Sequence, residues 1–307
     1  MKLTVLICTH NRSDLLMQSI DSLNNAILPN NCTVSIIVVA NACSDDTTNK
    51  LVNYQSNSSG KLTLYVSEEP RAGKSYALNH GIKMIEDGFI AFIDDDQRVN
   101  KKFLTSIQVA INKHPKTSIF CGQLIPDWTG LEPSWIHTKG QYKIYPEPVP
   151  RFDLGPATIR ITTNTTLPGG GTLIVKREVF TKIGTFSTKL GPKGHNLVGG
   201  EDSDFVLRAL NRNVSIMYIP SILQYHYVDL ARLKLSYLIL NSFQRTRSFT
   251  LVNNPTRMPI PLYMWRKLFN YTIGILFSFN ITKIRFYLMR LASTVGEIIG
   301  LTETGIN

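Results

Sequence analysis

A chain of 307 residues, 43% hydrophobic and 18% charged, can bury a large core and is neither disordered nor fibrous. Its net charge of +11 is concentrated late: from residue 229 to the end, ten Lys/Arg face three acids, a net +7 among many Leu, Ile, Phe and Tyr. No run reaches the roughly 18–20 apolar residues of a spanning helix. No secretory signal is visible, and the four cysteines form no CxxC pair, so a cytoplasmic protein with reduced thiols is expected.

In chain order, "LTVLICT" (3–9) is strand-like and 13–26 helical, with Ser13 as a candidate N-cap. A β-branched run (33–40) precedes a helix expected to be capped by Ser44. A third strand (61–67), a helix (73–88), the strand "FIAFID" (89–94), a helix (100–114) and a strand (117–125) follow. Short apolar strands alternating with helices predict βαβ units, an α/β fold with a mostly parallel sheet flanked by helices. In such sheets ligands gather beyond the carboxyl ends of the strands. Those ends carry Thr9, Asn11 and Arg12, then Asn41, then Asp94, Asp95 and Asp96.

The pattern breaks over 126–168, a long segment rich in Pro and aromatics (Trp128, Trp135, Tyr142, Tyr145), of a length that is usually functional or mobile. A glycine turn at 169–171 then enters a strand and a short helix. "GGEDSDF" (199–205) opens another helix, and 215–228 reads as one or two strands. After residue 228 the chain is helical, basic and amphipathic, suited to an anionic membrane surface or to packing and dimerisation. The expected division is therefore 1–228 (halves 1–125 and 126–228) and 229–307.

The chemistry rests on acids and on what is missing. The first turn, "CTHNRSD", lacks the glycines of a dinucleotide site, and "RAGKSY" (71–76) is not a complete phosphate-binding loop. As a helix start, that segment presents Arg71, Lys74 and backbone N–H groups to an anion. If the backbone stays extended through "DDD", Asp94 and Asp96 face one side and Asp95 the other. Two hard oxygen donors suit Mg²⁺ or Mn²⁺, with further ligands taken from phosphates. Glu201 and Asp202 supply a carboxylate base, or merely favour a helix N-terminus. His226 is a candidate imidazole ligand or a core histidine.

Taken in order, "VLICTHNRSDLL", "IIVVANACSDDT", "RAGKSYALNHGI", "FIDDDQRV", "GGGTLIVKREVFTKIGTF" and "GGEDSDFVLR" resemble a family-2 glycosyltransferase of the GT-A fold, over residues 3–212. The resemblance implies inverting transfer from a nucleotide-sugar to a hydroxyl of a glycan or lipid-linked glycan, with Mn²⁺ or Mg²⁺ as cofactor and no nucleic-acid partner. It implies that Thr9, Asn11, Arg12, Asn41, Arg71, Lys74, Asn79 and Asp95 are among the residues that bind the nucleotide-sugar, the nucleotide and its phosphates. Asp94 would face ribose and sugar, Asp96 and His226 would take the metal, and Gly170 and Gly171 would border the donor sugar. Asp202, with Glu201 beside it, would be the base. Many members have an Asp that bonds uracil where this chain has Ala40, which cannot, so base recognition would fall to Asn41, backbone groups or Arg71; UDP, the family's usual carrier, stays the first candidate, with dTDP or GDP as alternatives. The competing classes are a sugar-phosphate nucleotidyltransferase, which would want a glycine-rich basic loop after the first strand, and an inactive glycan- or nucleotide-binding module, which would be indifferent to Asp202.

Overall fold

The computed structural model describes residues 1–57, 60–145, 147–190, 200–254 and 256–303. They separate into two compact units. One comprises 1–127 and 150–227; the other comprises 128–149 and the chain from 228 onward. The aromatic segment 128–149 is thus grouped with the C-terminal helices.

The first unit is built on β1 (Lys2–Thr9), α1 (Ser13–Asn24), β2 (Thr33–Asn41), α2 (Thr47–Ser56), β3 (Thr63–Glu69), α3 (Lys74–Lys83), β4 (Phe89–Asp94), β5 (Gln97–Val99), α4 (Phe103–Lys113) and β6 (Ile119–Pro126). Then come β7 (Ile159–Arg160), β8 (Leu173–Lys176), α5 (Val179–Ile183), α6 (Glu201–Asn211) and β9 (Ile216–His226). The sheet runs β3-β2-β1-β4-β8-β6-β9-β5, with β7 on β9. Strands β3, β2, β1 and β4 are mutually parallel, as the βαβ pattern requires. β6 does not continue that series. The four-residue β8 inserts between β4 and β6, antiparallel to both.

Successive residues of β1 and β4 feed opposite faces of the sheet. Leu6 and Phe92 join a core with the aromatic cluster Phe180, Phe186 and Phe205. Val5, Ile7, Ala91 and Ile93 pack under Leu16, Ile20, Phe103 and Ile107 of α1 and α4. Burial on both faces explains why these strands read as unbroken apolar runs.

Neither expected serine cap forms. Ser13 lies inside α1 and accepts from Lys50 Nζ, while the backbone N–H of Ser44 is bound by Asn11 Oδ1.

The second unit contains α7 (Leu235–Asn253), α8 (Leu262–Leu276) and α9 (Ile281–Thr302). Ile136, Ile144, Val149, Leu233, Leu238 and Met289 form its small core. No helix among the described residues is long and apolar enough to cross a membrane.

Candidate active site

The carboxyl ends of β1, β2 and β4 lie side by side because the ladder pairs Thr9 with Ala40 and Cys8 with Asp94. The strand stops at Asp94; Asp95 and Asp96 form the turn into β5. The extended-backbone argument for the three acids therefore fails at its second residue, yet each acid still has its own partners.

Asp94 turns toward α3 and accepts from Lys74 Nζ at 2.5 Å. Gln97 Nε2 donates to it at 3.3 Å. Burial alone would raise the Asp94 carboxyl, but Lys74 outweighs it and holds the group below the usual range. Burial likewise opposes charge on Lys74, but attraction to Asp94, Asp202 and Glu201 raises its ammonium well above its ordinary value. This ion pair is charged at any physiological pH.

Asp95 points inward. It is 6% exposed, accepts from Thr9 Oγ1 at 2.7 Å, and meets Arg12 at 3.1 Å. Burial, then repulsion from Asp96, pushes its carboxyl up to about 6. Thr9 and Asp95, both taken from the sequence as ligand contacts, are thus bonded to each other below the surface.

Asp96 shares Arg12, with Nη1 at 2.9 Å from its Oδ2, and directs Oδ1 to His226 Nε2 at 3.5 Å. Backbone pairing creates that encounter: Gln97 pairs with His226 across β5–β9, and Tyr227 N–H donates to Asp96 O. His226 Nδ1 lies 2.8 Å from Tyr227 O, which orients the ring. Among the described residues, no group of three or more His, Cys, Asp or Glu side chains is placed to hold a metal.

Glu201 and Asp202 open α6. Glu201 is 3% exposed, and burial followed by repulsion from Asp202 raises it to about 7. Burial also raises Asp202, whose Oδ1 has no hydrogen-bond partner among the described residues. The Gly170–Thr172 turn supplies the opposing wall. A Cβ on Gly170 would strike the Asp202 carboxylate, and one on Gly171 would strike Asp94 Oδ2 and Gln97 Nε2. These two positions demand glycine for close approach. Gly170→Ala is expected to cost about 1–3 kcal/mol as an overpacking change. It should also reduce turnover, because Asp202 must yield; calorimetry and a steady-state assay check both.

Several sequence candidates are held by partners within the chain. Asn41 donates to Glu69 O and Arg71 O and accepts from Gly73 N–H, which engages both ends of its buried amide. Asn79 is joined both ways to the backbone of Phe186. Asn11, with φ of 52°, binds Ser44 and Asp45 N–H groups. Arg71 is exposed, pinned by Glu69 and 4.8 Å over the Tyr76 ring. That hydrogen bonding drives the Glu69 carboxyl down to about 2.

Sequence reasoning missed two residues. Gln224 is fully buried; its Nε2 donates to Gln97 Oε1 at 3.1 Å and to Gly171 O at 2.8 Å. The glutamine pair ties Asp94 to the glycine turn. Its one available signal was spacing: Gln224 lies two residues before His226, on the same face of a strand.

The family model described as "Glycosyl transferase family 2" matches residues 4–184, more than half of the chain. The chain belongs to this family. A curated relative is the poly(ribitol-phosphate) beta-N-acetylglucosaminyltransferase TarS of Staphylococcus aureus, 31% identical over 116 residues that make up 37% of this chain and 19% of TarS. Matched to the structure of TarS, this chain spans 55% of that chain's length. The structure of TarS 1–349 with UDP-GlcNAc superposes over 98% of this chain and 90% of that one, with TM-score 0.54 and 16% identity. The mannosyltransferase PcManGT of Pyrobaculum calidifontis, solved with GDP-Man and Mn²⁺, matches over 95% and 86%, with TM-score 0.60 and 16% identity. Both structures share the GT-A fold with this family-2 chain.

Proposed function

We propose that this family-2 chain is an inverting glycosyltransferase taking its sugar from a nucleotide diphosphate, a UDP-sugar before a dTDP- or GDP-sugar, and passing it to a hydroxyl of a glycan or lipid-linked glycan. The observation that carries the reading is the meeting of Lys74, Asp94, Gly170 and Asp202. A fixed cation and a partnerless buried carboxylate oxygen flank a turn stripped of side chains, a setting for a charged donor and a hydroxyl acceptor. Lys74 and Arg12 meet the anionic end of the donor, Asp94 faces ribose and sugar, and Arg71 on Tyr76 offers a surface to the base. Asp202 takes the acceptor proton as the acceptor oxygen bonds C1 from the far side. The C1–oxygen bond to the diphosphate breaks with its electron pair leaving on phosphate.

Asp96 and His226 are the residues that would hold Mn²⁺ or Mg²⁺. In support, a carboxylate oxygen and an imidazole nitrogen stand 3.5 Å apart, about half an ångström wider than the roughly 3 Å edge of an octahedral shell with bonds of about 2.1 Å. A site of so few protein ligands suits an ion that takes the rest from diphosphate and water. When bound, such an ion offsets charge on the leaving diphosphate.

A panel of nucleoside diphosphates with and without Mn²⁺ tests class and base together by thermal shift. UDP with Mn²⁺ is expected to raise the melting temperature by about 3–8 °C at a hundredfold excess over Kd. No shift with any diphosphate would end the proposal, and a larger shift with GDP would reassign the base.

A further inference from the structure

We infer that α8 and the turn after it form a docking surface for an anionic lipid bilayer, on which the helical unit lies without crossing it. Leu262, Trp265, Phe269 and Leu276 recur every three to seven residues along α8, and Phe277 and Phe279 prolong the row; each is at least 53% exposed. Isolated apolar residues are normal on a surface, but a continuous aromatic and aliphatic stripe is not.

The stripe is not the face with which α8 packs in its own unit. The Tyr287 ring of α9 fills the space where a Gly274 Cβ would stand. At about 100° per residue, Leu262, Trp265, Phe269 and Leu276 lie roughly 180–240° around the helix from Gly274. They point away from α9.

Charge selects the occupant. Residues 230–296 contain ten Lys/Arg and no Asp or Glu; Arg232 and Arg247 pair with Asp229 and Glu303 outside that stretch, while Arg266, at roughly 280° from Gly274, lies beside the stripe on α8. A second copy would bring two such cationic surfaces together and be repelled, whereas anionic headgroups complement them. An apolar stripe beside cations on a helix, with Trp at the boundary, is the pattern of a helix lying in the bilayer interface. No described helix can span a membrane, so the surface lies flat.

The inference does not rest on the sugar-transfer reading, and its test uses no substrate. The full chain is sedimented with vesicles of phosphatidylcholine, alone or mixed with phosphatidylglycerol, at low and high salt. Partition onto the mixed vesicles is expected to be at least about tenfold stronger than onto neutral ones, and to weaken with salt. The accompanying blue shift in tryptophan fluorescence should vanish in Trp265→Phe. Phe269→Glu, at an exposed position, should keep the melting temperature and lose about tenfold or more in partition; Leu262→Gln provides a second measure. Absence of vesicle binding by the unmodified chain would overturn the inference, as would undiminished binding by both variants. So would an oligomer that Phe269→Glu converts to monomer, which would make the stripe a contact between copies.

Discussion

Asp202→Asn is expected to cut sugar transfer by about 10²–10⁴-fold, the usual worth of a positioned general base, while leaving nucleoside diphosphate binding nearly intact. The same change should stabilise the protein at neutral pH. Burial raises the Asp202 carboxyl, and its Oδ1 lacks a partner among the described residues, so its charge is carried at a cost that a neutral amide escapes. The pH dependence has a definite sign. Glu201 is raised to about 7, and the two carboxyls titrate as a pair. A carboxyl raised by folding contributes stability that is fully present below its unfolded pKa and lost as pH rises through the folded value. Stability should therefore decline from about pH 4.5 to about pH 7, while turnover climbs as the base ionises. Opposite slopes for melting temperature and kcat/KM, both flattened by Asp202→Asn, are the expected result. Full turnover by the variant would remove Asp202 from the role of base.

The second large effect is expected from Asp96→Ala. Nucleoside diphosphate binding should lose its dependence on Mn²⁺, and affinity for Mn²⁺ alone should fall by more than the roughly 10–100-fold that loss of a merely supporting residue costs. Titration of the chain with Mn²⁺, followed by melting temperature or by the metal's magnetic resonance signal, reads this without any sugar transfer. Asp96 also holds Arg12, so Asp96→Asn is the better-folded companion, keeping an acceptor for the guanidinium. His226→Ala should reproduce the metal defect in weaker form. An unchanged Mn²⁺ response in all three variants would remove the metal role from this pair.

Much of the fold was legible because its signals are local. The runs ending at Thr9, Asn41 and Asp94 stop being apolar where the strands stop, so the site's edge could be read from composition alone. β8 was legible as a strand after the glycine turn, but nothing local says that it enters the middle of the sheet, antiparallel to both neighbours. The acids were legible as a cluster, but the turn that separates Asp94 from Asp95 and Asp96 depends on β5 pairing with a strand more than a hundred residues away. Asn41 and Asn79 were recognised as special while their partners were not, because an amide that clasps a distant backbone looks in sequence like one that awaits a ligand. Gln97 and Gln224 were missed for the same reason, being 127 positions apart.

The insertion of β8 also bears on how the chain comes together. Until Leu173–Lys176 is in place, β4 has an unpaired edge and the parallel half has no bridge to β6 and β9. The central seam of the sheet is thus closed by late, sequence-distant pairings, the kind that make folding slow and leave a nascent chain with an exposed strand edge. Asp94, finished early in synthesis, waits for the glycine turn just before β8 and for Gln224 on β9. The candidate site is assembled by the same event that completes the sheet, so a partly folded chain would carry its acids without the turn that faces them.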